Sequence, residues 1–100
     1  MTPYEVYAIK YADHPNRSAS NNFIGHDPHE GPMPIDYFIW LIRQGDRHWV
    51  VDTGFSRQAG ESRGRRFIAC PGETLKALGT DPASIAEVII THMHYDHCGN

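Results

Sequence analysis

The order of chemical patterns along the chain predicts a mixed α/β (α+β) domain, and three observations carry that expectation. Aromatic and β-branched residues gather early, in residues 4–11 and 35–43. Helix start and stop signals come later, between Pro71 and Gly79. A last branched run, Val88-Ile89-Ile90-Thr91, leads straight into a cluster of histidines. Strands followed by helix and then a further strand suggest helices packed on a sheet.

Each element has its own warrant. Residues 4–11 put Tyr4, Val6 and Ala8 on one side and Glu5, Tyr7 and Ile9 on the other, which is strand alternation. Residues 12–34 are dominated by Asn, Ser, Pro, Gly, Asp and His, a turn composition, so a long loop is expected there. Residues 35–43 are almost continuously apolar and predict a strand covered on both faces. Gln44-Gly45-Asp46 then supplies the turn of a hairpin, whose second strand is His48-Trp49-Val50-Val51-Asp52. Thr53-Gly54 ends that strand, and the polar stretch through Arg66 reads as irregular. Pro71 can open a helix with Leu75 and Leu78 on one face and Gly79 as its stop, and Asp81-Pro82 caps another short turn. Residues 88–91 predict a buried strand that ends at the histidines.

Composition narrows the function classes. With 100 residues, the chain has room for one small core and not for two domains. Hydrophobic residues at 40% and charged residues at 21% argue against disorder, and a net charge of -3 gives no global attraction to nucleic acid or anionic lipid. No stretch approaches the roughly 18 apolar residues of a membrane span, and no basic flank precedes an apolar run at the amino terminus, so a cytoplasmic protein is expected. Cys70 and Cys98 form no Cys-x-x-Cys pair, and reduced thiols are expected.

The chemistry lies in His92-Met93-His94-Tyr95-Asp96-His97, four metal-ligating side chains within six residues. Alternate side chains of an extended backbone project to one side, so His92 and His94 can reach one ion. Asp96 and His97 follow in a turn and can face a second ion, as two-metal hydrolases require at about 3.5–4 Å. The four are expected around a common metal-sized centre. Imidazole and carboxylate favour zinc, and iron, manganese or cobalt accept the same donors. A polar surface turn is the plain alternative for any single histidine; four candidate ligands directly after a strand favour the metal.

The run from Ile89 to Asn100 resembles the signature of the metallo-β-lactamase superfamily, and its Thr-His-x-His-Tyr-Asp-His-x-Gly form is most similar to the N-acyl homoserine lactonase branch. Val50-Val51-Asp52-Thr53-Gly54 resembles the superfamily's earlier strand-end motif. Related thioesterases share both motifs. The resemblance implies an αββα sandwich, with residues 1–100 as the amino-terminal part of a single domain that continues beyond them. It implies two divalent metal ions, with His92 and His94 on the first, Asp96 and His97 on the second, and Asp52 behind them accepting a hydrogen bond from a ligand imidazole or the ligand loop. A turn residue bonded to its own Thr-Gly is the local alternative for Asp52. The implied activity is that of a metallo-hydrolase whose metal-bound hydroxide opens a lactone, an acyl homoserine lactone in the quorum-quenching case, with Asp96 as a catalytic proton shuttle. Thioester hydrolysis is the alternative. The family completes its sites with a further His, a bridging Asp and another His downstream; a chain truly ending at Asn100 would instead be a noncatalytic binding domain or fragment.

Other features are less specific. His14, His26 and His29 lack tight ligand spacing and are expected in solvated loop roles, with substrate contact as the alternative. Phe23 and Ile24 would anchor the loop to the core, or else line an acyl pocket or a subunit contact. Arg57, Arg63, Arg65 and Arg66 form a basic cluster, expected as a solvated loop, with recognition of a carboxylate or phosphate as the sharper reading. Met93, Tyr95 and Cys98 are expected to pack. The partner implied is a small-molecule acyl substrate, with neither nucleic acid nor membrane; a homodimer is left open.

Overall fold

The computed structural model describes residues 2–22 and 31–100. Strands β1 (Glu5–His14), β2 (Ile35–Gln44) and β3 (Arg47–Val51) form an antiparallel meander. Strand β4 (Arg66–Phe67) pairs with β1 at one edge, and β5 (Val88–Ile89) runs parallel to β3 at the other, giving the order β4-β1-β2-β3-β5. Among the described residues four short helices accompany the sheet: α1 (Ala19–Asn22), α2 (Arg57–Ser62), α3 (Pro71–Ala77) and α4 (Tyr95–Cys98). A single 3-10 turn covers Pro82–Ser84. Phe23, Ile24, His26 and His29 lie outside the described residues.

The local signals hold where chemistry is local. Gly45 takes the left-handed backbone (φ 58) that the β2–β3 turn needs. Pro71 opens α3, Leu75 is buried, and Gly79 (φ 86) follows its end. Asp81 caps the 3-10 turn by accepting from the Ala83 amide at 3.0 Å.

Two expectations are overturned. Strand β1 runs past residue 11 to His14, with a register shift between Lys10 and Ala12, because the carboxylate of buried Asp13 is paired by Arg66 of β4. The stretch expected to be irregular holds α2, capped by Ser56 Oγ accepting from the Ala59 amide at 3.2 Å. Gly60 weakens the helical signal in sequence, yet glycine is required there, since a Cβ would lie 2.6 Å from the Phe55 ring. The arginine cluster is exposed at Arg57, Arg63 and Arg66, as expected of a solvated loop, and only Arg65 is half-buried. Arg57 pairs with Glu61 at 3.8 Å and lies over Phe67, Arg63 lies over Tyr95, and Arg66 pairs with Asp13.

The sheet has two unlike faces. Ile9, Ile39, Leu41 and Val50 are buried with Tyr11, Phe55 and Leu75 in one core, each large side chain contributing about 1.5–3 kcal/mol by leaving water. The registers Val6↔Ile42, Ala8↔Trp40, Trp40↔Val51 and Val51↔Ile89 put a second apolar row on the opposite face. There Trp40 is 39% exposed and Val6 60%. The expectation that β2 is covered on both faces is therefore corrected, because the described helices supply one covering layer. Strand β5 is likewise exposed rather than buried.

Candidate metal centre

Parallel pairing of β3 and β5 brings their ends to the same edge of the sheet, so the residues after each strand meet. The Asp52 amide extends the pairing by donating to the Ile89 carbonyl at 2.7 Å. Asp52 then turns the chain in the left-handed region (φ 63), which among non-glycine residues Asp and Asn best tolerate. The following loop is tied to α4, with the Thr53 amide donating to the His97 carbonyl at 2.8 Å and the Gly99 amide to the Gly54 carbonyl at 2.9 Å.

Buried Asp52 is the hub. Its carboxylate accepts from the Thr91 amide at 2.8 Å, from the Thr91 hydroxyl at 2.9 and 3.0 Å, and from His97 Nδ1 at 2.7 Å. Burial opposes its charge, but the bonds from His97 and Thr91 outweigh it and hold the carboxyl below its ordinary range. A carboxylate only accepts, so His97 carries its proton on Nδ1. In the neutral ring Nε2 is then a bare lone pair. Thr91 has one hydroxyl proton, committed to Asp52, so toward His92 Nδ1 at 3.0 Å it accepts. His92 is thereby set with Nε2 bare as well.

His97 Nε2 faces Asp96 Oδ2 at 3.3 Å. Two lone-pair atoms at that separation repel unless a proton or a cation lies against both. The ring centroids of His92 and His97 are 3.9 Å apart, and those of His92 and His94 are 4.6 Å apart in an edge-to-face arrangement. The chemistry of this donor set fits a divalent ion, assembled in neighbouring pairs. Among the described residues no three His, Cys, Asp or Glu side chains could hold one ion together. The expectation of four side chains around one centre is corrected to that extent: His92 is engaged by Thr91 and packs its ring against His94 and His97.

The flanking residues divide. Tyr95 packs, stacked on Phe55 with centroids 5.5 Å apart. Cys98 is half-buried, with Sγ donating to the His94 carbonyl at 3.3 Å. Met93 is 79% exposed and does not pack, because α4 begins only at Tyr95 and the Met93 side chain points away from the core. Sequence reasoning gave no role to Thr91, although it stands directly before the motif, nor to Tyr11, whose buried hydroxyl donates to the Asp96 carbonyl at 2.9 Å. Asp96 and His97 open onto a cleft of about 480 Å³ whose other walls include Tyr37, Trp40, Arg17 and Arg65. His14 lies near two of these cations, and burial together with the charges of Arg65 and Arg17 pushes its pKa below the ordinary 6.5.

A β-sheet with helices on one face, carrying imidazoles and carboxylates where two parallel strands end, defines the class of chain. The family profile of the metallo-beta-lactamase superfamily matches residues 33–100, and the chain belongs to that family. Its fold matches that of a quorum-quenching N-acyl homoserine lactone lactonase, with a TM-score of 0.75 and 21% identity over 97% of this chain. It also matches an N-acyl homoserine lactone hydrolase carrying the product N-hexanoyl-L-homoserine at its catalytic metal centre, with a TM-score of 0.59 and 16% identity over 97% of this chain. The chain spans 40% of the length of the first and 44% of the second.

Proposed function

We propose that this chain is the amino-terminal part of a single-domain, metal-dependent hydrolase that opens lactones bearing an acyl substituent, acyl homoserine lactones among them. The observation that carries this reading is the His97 imidazole held through Nδ1 by buried Asp52, with Nε2 turned to Asp96. In the proposed site His92 and His94 hold one ion, Asp96 and His97 the other, and Asp52 and Thr91 orient the rings. When bound, two divalent ions, zinc first among the candidates, would activate a water and polarise the acyl carbonyl. Asp96 would pass a proton to the leaving oxygen, and the aromatic walls of the cleft would hold the acyl carbons and exclude water.

The open apolar face of Val6, Trp40 and Ile89 supports a domain that continues beyond these residues, since such a face calls for a second layer. The two structural neighbours, a lactone lactonase and a lactone hydrolase, favour lactones over thioesters. Free Cys70 and Cys98 agree with a cytoplasmic enzyme; in this reading it is quorum-quenching and acts on a small molecule as monomer or homodimer. Among the described residues no helix is long and apolar enough to cross a membrane. The test is comparative. For the metal-loaded full-length protein, kcat/KM is measured on acyl homoserine lactones, simple lactones, a glutathione thioester and a β-lactam, before and after chelation. Lactone turnover that chelation abolishes and returned metal restores is expected. Chelator-resistant turnover contradicts the mechanism, and metal-dependent thioester hydrolysis without lactone hydrolysis removes the lactonase assignment.

A further inference from the structure

Arg65 differs from its neighbours in what it touches. Arg57 and Arg66 meet carboxylates, whereas among the described residues Arg65 meets none. Its Nε donates to the Tyr95 hydroxyl at 3.2 Å and its Nη1 to the Arg63 carbonyl, and the Tyr37 hydroxyl lies beside it. The side chain is half-buried on the wall of the cleft that Asp96 and His97 also line. A guanidinium withdrawn from water and bonded only to neutral groups keeps its charge uncompensated. A second observation points the same way. His14 Nδ1 is buried without a hydrogen-bond partner, in the field of Arg65 and Arg17. Arg65 and Arg17 thus make part of the cleft wall positive, near the incompletely bonded His14, while Asp36, Asp52 and Asp96 line the same cleft.

We propose that Arg65, steadied by Tyr95 and Tyr37, is a specificity residue that binds a carboxylate of the substrate, so that the substrate class is an acyl lactone carrying a pendant carboxylate away from the bond that breaks. The planar guanidinium matches a carboxylate edge, and the hydrogen-bonded Tyr37–Tyr95 pair has one hydroxyl proton left to donate. Tyr37 and Trp40 offer the apolar walls that a carbon chain between the two ends of the cleft requires. The proposal rests on the reading of this cleft as the acyl site.

Two readouts separate the proposal from that reading. Calorimetry on the full-length metal-loaded protein compares hexanoate with hexanamide, which differ in charge and little in shape. Hexanoate is expected to bind about tenfold tighter, as charge-assisted hydrogen bonds imply. Arg65→Gln is expected to bring the two affinities together, and Arg65→Lys to keep part of the preference. Equal binding by the unaltered protein, a measurement that needs no variant to fold, overturns the proposal. A preference undiminished in folded Arg65→Gln overturns it too, because the carboxylate then binds elsewhere, at the metal ions for instance. The second readout is kcat/KM for a hexanoyl lactone and its ω-carboxy counterpart. Arg65-dependent carboxylate binding without turnover of either supports the subsite and removes the hydrolase reading. Metal-dependent turnover indifferent to the carboxylate does the reverse.

Discussion

His97 Nδ1 lies 2.7 Å from Asp52 Oδ2, although 45 residues separate them in the chain. The contact fixes the tautomer and the direction of the imidazole, and it exists because β3 and β5 are parallel and end together. Asp52→Asn is the informative substitution. Asn tolerates the left-handed backbone at this position as Asp does, so the turn should survive while the charge behind His97 is lost. Metal affinity of the full-length protein is expected to fall by about 10- to 100-fold, the usual effect of removing such a partner. Competition with a chromogenic chelator measures it. Unchanged affinity in a folded variant would reduce Asp52 to a turn residue.

Ligand chemistry and packing separate at adjacent positions. His94→Ala and His97→Ala are expected to lose bound metal and turnover, whereas Cys98→Ala should retain both, since the thiol bonds only to the His94 carbonyl. Metal analysis by plasma emission, with circular dichroism as the folding control, tests the three together. Loss of stoichiometric metal in folded Cys98→Ala would show that the thiol had been misassigned.

Gly99 is required by space rather than by backbone angle. A Cβ there would lie 2.6 Å from the Tyr95 carbonyl oxygen and 2.7 Å from that of Gly54, and neither is a side chain that can rotate away. Gly99→Ala must push α4 off the Gly54 loop. A loss of about 1–3 kcal/mol in denaturant unfolding is expected, with weakened metal uptake because His97 moves with the helix.

Acid sensitivity should appear at Asp13. The bond from Arg66 holds its carboxyl below the ordinary 3.8, against the cost of burial and with help from Lys10. A lowered folded value means stability that is complete above the unfolded value and lost as pH falls through the folded one. Arg66 is 65% exposed, so solvent screening keeps the contribution small. Urea midpoints of the native protein and Asp13→Asn should differ at pH 7 and converge as the pH falls below 3.8. A gap that persists at low pH would assign the effect to shape rather than charge.

Sequence alone determined the features that depend on neighbours in the chain. The four donor positions are legible because they lie within six residues, the β2–β3 hairpin because Gly45 marks its turn, and α3 because Pro71 and Gly79 bracket it. The strand-end motif around Asp52 was legible as well, but not whether its carboxylate faces its own turn or the histidine loop. Tertiary structure decided that, by setting β5 beside β3. It also decided that β1 reaches His14, through the pairing of Asp13 with an arginine 53 residues further on. Thr91 acquired its role in orienting His92 the same way, and Arg65 its place on the cleft wall. Each of these outcomes rests on a contact between distant segments, and turn and periodicity signals, which report only the nearest few residues, carry no information about it.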